Sequence, residues 1–257
     1  MNNFAQLSVK GNVRNSNQDA VGIFHKDNIH MLLLCDGMGG HYGGSKASNI
    51  TVNTFSKKFA QMMPLEKFDV NSVSLWFKSV VNDARLEMKT FANVEEAYLD
   101  MGTTVTAAIY SEVHGFLYIF NIGDSRTYIL TKGGDLKQIT VDHNLYNRLI
   151  NEENYTELKA RNVKYNMALT SALGPLKKTK IEIFDLSASI KAVHSILCTS
   201  DGVHNFLEKP SIELIIKKEI KAQKIVEVLV QEALDNRSTD NASAVYASLS
   251  NIDEWSK

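Results

Sequence analysis

The sequence predicts an α+β fold built of layers, with strands grouped in blocks and helices grouped in pairs. Two neighbouring stretches in the first half of the chain repeat apolar residues at helical spacing, and two more follow near the C-terminus. Between them lie runs that are rich in β-branched and aromatic residues. Because a doubly wound sheet needs regular alternation of strands and helices, this grouping favours α+β layers.

The first elements are a buried strand and two amphipathic helices. The apolar run HMLLLC at residues 30–35 is typical of a strand that is buried on both faces. Residues 44–63 repeat apolar side chains every three or four positions, and residues 71–91 do the same. Each of these two patterns predicts a helix with one buried face.

The middle of the chain is predicted to form an antiparallel meander. Three strand-like runs follow one another at 103–110, 116–122 and 126–131, separated by short polar or glycine-containing connections. Residues 143–166 are polar and mixed, and they fit neither a helix nor a strand pattern. The remaining elements are predicted as strands at 181–186, 193–199 and 242–249 and helices at 211–217 and 221–234.

The composition indicates a single domain over residues 1–257. A chain of this length buries roughly 70–75% of its extended-chain surface on folding, so its core needs no disulfide or metal. Gly 14 and Pro 3 leave little material for linkers or low-complexity tracts. Cys35 and Cys198 both lie inside apolar runs, which is typical of reduced cysteines in a core.

The charge pattern excludes several classes of partner. Lys+Arg 28 against Asp+Glu 29 gives a net charge of −1, and the sequence has no basic stripe that indicates nucleic-acid binding. No apolar run approaches the roughly 18–20 residues that span a bilayer. The N-terminus lacks the features of a secretion signal. We therefore expect a cytoplasmic monomer with no nucleic-acid partner, no membrane anchor and no attached sensor domain.

Five aspartates stand at the ends of otherwise apolar segments, namely Asp19, Asp36, Asp124, Asp201 and Asp240. A carboxylate beside a core is costly unless a main-chain N–H, a basic side chain or a cation compensates its charge. Hard divalent cations such as Mg²⁺ and Mn²⁺ prefer oxygen ligands of this kind. Zinc is disfavoured, because histidines and cysteines do not cluster at ligand spacing.

Asp36 is followed directly by Gly37. A glycine here leaves its main-chain oxygen free to approach a cation, because no Cβ obstructs the turn. Asp36 and Gly37 together can thus supply a carboxylate and a carbonyl to one ion. The alternative is structural, since aspartates at strand ends cap turns and Asp-Gly is a common turn pair.

Competing catalytic motifs are incomplete or missing in the sequence. The glycines at 37 and 39 begin a dinucleotide fingerprint, but position 42 is Tyr where the third glycine should stand. Neither cysteine has an arginine six positions later, which argues against a cysteine-nucleophile phosphatase. No phosphate-binding loop ending in Lys-Ser/Thr, no G-x-S-x-G elbow and no H-E-x-x-H helix occurs.

An ordered series of short blocks resembles the metal-dependent protein phosphatase family usually called PP2C or PPM. The blocks are RNSNQDA (14–20), CDGMGGHYGG (35–44), MGTT (101–104), IGDSR (122–126), TVDH (140–143), LTSALG (169–174), CTSDGV (198–203) and TDNAS (239–243). They run through nearly the whole chain in family order, and DGMGGH is similar to the bacterial branch.

The resemblance implies a four-layer α/β/β/α sandwich, with two central antiparallel sheets flanked by helix pairs. It also implies two Mn²⁺ or Mg²⁺ ions at the ends of the sheets, bridged by Asp36. By correspondence of the blocks, Asp201 and Asp240 complete one ion site with Asp36. The second ion is held by Asp36, the Gly37 carbonyl and, directly or through water, Asp19. Asp124 corresponds to a ligand of a third, weaker ion in bacterial members.

The implied activity is hydrolysis of phosphoserine and phosphothreonine in proteins by a water that the two ions activate, with no phosphoenzyme intermediate. Arg14 matches the family's phosphate-binding arginine, whose fork can grip two phosphate oxygens; the alternative is a surface arginine. Many eukaryotic members carry a histidine, a proposed general acid, where this chain has Met38. His41 or a water is then the candidate acid, although His41 also fits a role in orienting the glycine turn.

Other blocks imply supporting roles. Thr103 and Thr104 are expected to support the metal-site carboxylates through their hydroxyls, and His143 is expected to organise structure. Residues 144–168 correspond to the family's flap, a mobile segment beside the active site. The implied partners are phosphoprotein substrates and a cognate Ser/Thr kinase with its targets. Two alternatives stay open: a non-catalytic regulatory module, and a phosphatase dedicated to one regulator such as an anti-sigma-factor antagonist.

Overall fold

A computed structural model describes residues 3–40, 43–62, 68–218 and 221–249. The strands are β1 Phe4–Val9, β2 Ala20–Lys26, β3 Ile29–Cys35, β4 Gly37–Met38, β5 Gly102–Thr103, β6 Val105–Ser111, β7 Phe116–Ile122, β8 Arg126–Thr131, β9 Leu136–Gln138, β10 Glu182–Asp185, β11 Val193–Thr199 and β12 Ala242–Ser248. The helices are α1 Gly43–Met62, α2 Val70–Val94, α3 Leu145–Asn151, α4 Glu157–Arg161, α5 Asp201–His204, α6 Lys209–Lys218 and α7 Ala222–Asp235, with two short 3₁₀ helices at Glu96–Tyr98 and Ser187–Ala192.

Two five-stranded antiparallel sheets form the centre of the molecule. Their strand orders are β1-β12-β11-β8-β9 and β10-β7-β6-β3-β2, and β4 and β5 form a separate two-stranded ladder. Helices α1 and α2 pack on the sheet that contains β3, and α6 and α7 pack on the sheet that contains β12. The predicted α/β/β/α sandwich is therefore confirmed.

The helices form where the sequence combines a cap with a buried face. Helix α2 begins after Asp69, whose carboxylate accepts hydrogen bonds from the main-chain N–H groups of Asn71 and Ser72. Its buried side chains recur at helical spacing, and Phe77 stacks on Phe120 of β7 with ring centroids 4.0 Å apart. A separate apolar layer between the sheets joins β3, β6 and β7 to β11 and β12.

The predicted meander is wrong at its third strand. β6 and β7 pair as expected, but β8 lies in the other sheet, where it pairs with β11 and β9. The chain crosses between the sheets just after Gly123, whose φ is +101° and which lies against Thr104. Because β7 and β8 are both largely buried, their composition does not reveal which sheet each one joins.

Two regions contain regular secondary structure that the sequence patterns did not predict. Residues 4–9 form edge strand β1, which pairs with β12 in register from Phe4 opposite Ala247. The polar stretch 143–166 contains the short helices α3 and α4. Its ends are joined by a bridge between Asn144 and Leu169, so the segment leaves and re-enters the domain at one place. No helix in the described ranges has both the length and the apolar composition to cross a membrane.

Candidate active site

A cleft of about 460 Å³ opens at the ends of β3 and β11, where both strands lead into aspartates. It is lined by Arg14, Gln18, Asp36, Gly37, Met38, Gly39, Gly40, Thr104, Asp124, Leu169, Asp201 and Asp240. Six of the residues that the sequence nominated for phosphate or metal binding therefore line one cavity, although they are up to 226 positions apart in the chain.

Asp36 lies on the floor of this cleft because hydrogen bonds fix its main chain. Its N–H donates to Thr104 Oγ1 at 2.9 Å, and its carbonyl accepts from the Thr103 hydroxyl at 2.9 Å and from the Thr104 N–H at 2.8 Å. The Thr104 hydroxyl lies 2.7 Å from Ser125 Oγ. Thr103 and Thr104 thus support Asp36 through their hydroxyls, as expected, and the bonds run to its main chain.

Gly37 is required by crowding of the backbone. A Cβ at this position would lie 2.2 Å from the Gly44 carbonyl oxygen and 2.4 Å from that of Gln18. The Gly37 N–H also donates to the Gln18 carbonyl at 3.1 Å. A side chain here would push apart the start of α1 and the segment before β2 that carries Gln18 and Asp19, so the glycine allows three segments to meet at the cleft.

Asp201 begins α5, with its carboxylate against that of Asp36. Its Oδ1 atom is buried and has no hydrogen-bond partner among the described residues. Burial, and then the charge of Asp240, raise the pKa of Asp201. An unpartnered carboxylate oxygen in such a place is costly, which indicates a position that a cation fills.

Asp19 is buried and does not line the cleft. Its Oδ2 accepts a hydrogen bond from Ser243 at 2.6 Å, and Ser243 Oγ is also 2.8 Å from Ser8 Oγ. Burial raises the pKa of Asp19 to about 6, although the hydrogen bonds from Ser243 and Ser200 oppose that rise. This carboxylate is therefore held by serine hydroxyls and lies outside the lining of the cleft.

Asp124 borders the cleft at the crossing between the two sheets, and burial raises its pKa to about 7. The neighbouring Gly123 N–H donates to His143 Nδ1 at 3.1 Å, so neutral His143 carries its proton on Nε2, which lies 3.1 Å from Glu182 Oε2. This arrangement agrees with the expectation that His143 organises structure, since it ties the Asp124 turn to β10.

Arg14 reaches across the mouth of the cleft to Asp240. The Nη2 atom of Arg14 lies 2.5 Å from Asp240 Oδ2, and the two side chains are 54% and 29% exposed. The Asp240 carboxylate is therefore already paired with a basic side chain. Because the Arg14 side chain is exposed and lines the cleft together with Asp36 and Asp201, a phosphate group has access to it.

The donor set of the cleft fits hard divalent cations. All of its candidate ligands are oxygens, and burial followed by the charges of Asp19 and Asp201 raises the pKa of Asp36 well above its ordinary value. In the part of the chain that the structure describes, no three acidic, His or Cys side chains converge on one point. Carboxylates that repel one another surround the space instead, so they need positive charge to come closer.

Comparison of the whole chain with known proteins identifies its family. The family model for protein phosphatase 2C matches residues 12–240. A relative from Mycoplasma genitalium is 32% identical over 98% of this chain and 96% of its own length. The chain belongs to the protein phosphatase 2C family.

Other relatives of this phosphatase agree in fold and length. The serine/threonine phosphatase stp of Listeria welshimeri is 28% identical over 92% of this chain and 91% of its own. The crystal structure of serine/threonine phosphatase Stp1 from Staphylococcus aureus superposes with a TM-score of 0.83 at 28% identity, covering 96% of this chain and 95% of that one. The phosphatase therefore has the α/β/β/α architecture of solved bacterial relatives.

One predicted catalytic residue of the phosphatase, His41, lies outside the described residues. Met38 does line the cleft, directly after the Asp-Gly pair, and its thioether has no proton to donate to a leaving group. Cys35 and Cys198 are free and buried, and burial raises the pKa of both thiols, in agreement with their expected role in the core.

The sequence patterns missed several residues that shape the phosphatase site. Ser200 and Ser243 bond Asp19, Ser125 contacts Thr104, and the amide of Asn241 binds the main chain near Arg14. All four lie inside the blocks that carry the nominated aspartates. Their adjacency in sequence was visible, but their contacts depend on how strands from the two sheets meet.

Proposed function

We propose that this phosphatase hydrolyses phosphoserine and phosphothreonine esters in proteins, with Mn²⁺ or Mg²⁺ as cofactor. The observation that carries the proposal is the meeting of Arg14, Asp36, Gly37, Asp124, Asp201 and Asp240 at one cleft. The guanidinium of Arg14 supplies one fixed positive charge, and divalent cations held by the carboxylates would supply others. A phosphate monoester would bind between these charges.

Asp36, Asp201 and Asp240 would hold one divalent ion, and Asp36, the Gly37 carbonyl and Asp19 a second, with Asp124 available for a third. When bound, the ions activate a water and offset the charge of the phosphoryl group. The Asp36 carboxylate keeps its place because hydrogen bonds from Thr103 and Thr104 fix its main chain. This rigidity limits the reorganisation needed during the reaction.

Arg14 would bind and orient the phosphate. Its planar fork presents several N–H donors, and its place at the cleft mouth lets it reach the phosphate oxygens that face away from the carboxylates. Asp240 holds the guanidinium beside the cleft until a phosphate arrives. In this role Arg14 contributes to binding more than to the chemical step, so its loss should raise KM more than it lowers kcat.

The substrates are the phosphoprotein targets of a cognate Ser/Thr kinase, reached in the cytoplasm by a monomeric enzyme. A single dedicated regulator is a narrower version of the same chemistry. The flap, residues 144–168, is followed directly by Leu169, which lines the cleft. The flap carries exposed basic residues such as Lys159 and Arg161, which suits contact with a phosphopeptide.

Hydrolysis of p-nitrophenyl phosphate and of a phosphothreonine peptide tests the proposal. We expect activity with Mn²⁺, none with EDTA, and a fall in kcat of roughly a thousandfold or more for Asp36→Asn and Asp240→Asn, since each removes a ligand charge. Asp135→Asn removes an exposed carboxylate far from the cleft and should keep full activity. Activity that ignores the chelator and both cleft substitutions would refute the two-metal reaction.

A further inference from the structure

The amide of Asn241 joins three parts of the main chain near the cleft. Its Oδ1 accepts a hydrogen bond from the Gln18 N–H at 2.8 Å. Its Nδ2 donates to the Lys10 carbonyl at 2.6 Å and to the Ser16 carbonyl at 3.0 Å. Asn241 is buried, and both ends of its side chain are occupied, so no other residue type can reproduce this pattern.

These bonds fix residues 10–18, which we call the Arg14 segment. Residues 12–15 in the middle of the segment are exposed and form no regular secondary structure. Lys10 and Ser16, which stand on either side of them, are both bonded to Asn241. The position of Arg14 therefore depends on anchors on either side of this exposed stretch.

Packing on the other side leaves the Arg14 segment little freedom. Gly11 has a φ of +76°, and a Cβ there would lie 2.2 Å from the Asp240 carbonyl oxygen. Asn241 follows Asp240 directly, and its own carbonyl oxygen would lie 1.9 Å from a Cβ at Gly202, beside Asp201. Asn241, which follows Asp240, thus lies against both the Arg14 segment and the start of α5, where Asp201 stands.

We propose that Asn241 is a positioning residue for phosphate binding, acting through Arg14. The inference rests on the proposed function only in taking Arg14 as the phosphate ligand. The Asn241 amide holds the Arg14 segment at the distance where the guanidinium reaches over the cleft. Without the amide, residues 10–16 lose both anchors, and Arg14 samples positions from which it cannot grip a phosphate.

A double-mutant cycle with inorganic phosphate tests the proposal directly. The affinity for phosphate is measured by titration calorimetry with Mg²⁺ present, for the wild type, Asn241→Ala, Arg14→Ala and the double variant. We expect each single variant to bind phosphate about fivefold to tenfold more weakly and the double variant to bind no more weakly than Arg14→Ala. Effects that add in the double variant, or a wild-type affinity in Asn241→Ala, overturn the proposal.

Two further variants separate positioning from simple loss of structure. Asn236→Ala removes an amide that also bonds a main-chain carbonyl, that of Phe206, and should leave phosphate affinity unchanged. Gly11→Ala displaces the same segment while keeping Asn241, so it should weaken phosphate binding and show the same lack of additivity with Arg14→Ala. If Asn241→Ala does not fold, Asn241→Ser, whose shorter side chain loses the bonds to Lys10 and Ser16, takes its place in the cycle with Arg14→Ala, and additivity there overturns the proposal.

Steady-state kinetics on a phosphothreonine peptide give a second readout. Asn241→Ala should raise KM by the factor seen for phosphate and change kcat by less than about threefold, since the carboxylates stay in place. A wild type that binds phosphate but hydrolyses nothing with Mn²⁺ contradicts the proposed function alone. An active wild type whose KM is unchanged by Asn241→Ala contradicts the positioning role alone.

Discussion

The two ends of β3 place ionisable groups in opposite situations. At one end His30 faces His25 across the hairpin, with the two Nδ1 atoms 2.8 Å apart and Phe4 and Tyr110 packed against the rings. At the other end, about 20 Å away, the strand leads into Asp36 and its neighbouring carboxylates. Burial lowers the pKa of His30 to about 4 and raises that of Asp36.

Burial favours the neutral form of the ionisable groups at both ends. At pH 7 the histidines are fully neutral, whereas the carboxylates are partly charged. A histidine with a pKa near 4 is uncharged at pH 7, so the imidazole pair packs without a counter-charge. Carboxylates with pKa values of about 6 and 7 are deprotonated in a large fraction of the molecules at pH 7, and their negative charges repel one another. The carboxylate end therefore carries unfavourable negative charge at neutral pH, which a bound cation would offset.

We expect the largest effect from a substitution at Gly37, which disrupts the close packing of the backbone at the carboxylate end. Gly37→Ala forces a Cβ into the Gly44 and Gln18 carbonyls, which should lower the free energy of unfolding by about 3 kcal/mol and abolish Mn²⁺-dependent activity. Gly133→Ala, at a turn where the nearest atom would be 3.6 Å away, is the matched control and should change stability little. Chemical denaturation of both variants measures the difference. Equal stabilities would show that the cleft backbone yields easily.

The second effect concerns pH in the chelated protein. Asp19 and Asp124 have folded pKa values raised above the unfolded value, so their contribution to stability is full at low pH and is lost as pH rises through about 6 to 7. With EDTA, the melting temperature should therefore be higher at pH 6 than at pH 8, by roughly 5 °C. Saturating Mn²⁺ should remove this dependence. A chelated protein that is more stable at pH 8 contradicts the account.

The third effect concerns substrate and metal binding by a variant that lacks Arg14, the side chain paired with the Asp240 carboxylate. Arg14→Ala should raise KM for a phosphothreonine peptide about tenfold, because a charge-assisted fork to phosphate is lost. It should also tighten Mn²⁺ binding severalfold in calorimetry, because the competing cation at Asp240 is gone. Arg237→Ala removes an exposed cation near Asp240 in sequence and serves as the control. Weaker Mn²⁺ binding by Arg14→Ala would show that Arg14 supports the metal site.

The smallest effect belongs to the histidine end and has the opposite sign. The folded pKa of His30 is depressed, so its contribution is present above about pH 6.5 and is lost as pH falls towards 4. His30→Gln should remove about 1 kcal/mol of the stability difference between pH 7 and pH 5, a value reduced because the ring is only half-buried. Denaturation at both pH values measures the slope. An unchanged slope assigns the acid sensitivity elsewhere.

The sequence by itself determined most of the elements and the identity of the nominated site residues. Helical spacing located α1, α2, α6 and α7 to within a few residues, because a buried helical face requires that period. The aspartates were found because charged residues at the ends of apolar strands are costly without compensation. The ligand roles of Asp19, Asp36, Gly37, Asp124, Asp201 and Asp240 stay predictions that the metal experiments test.

Only the tertiary structure decided which strands share a sheet and which groups meet. β8 left the predicted meander for the other sheet, because a strand buried on both faces fits either one equally well by composition. The pairing of Arg14 with Asp240 and the three bonds of Asn241 join residues more than 220 positions apart. Local patterns encode burial and period, but contacts of this kind exist only after the two sheets have packed face to face.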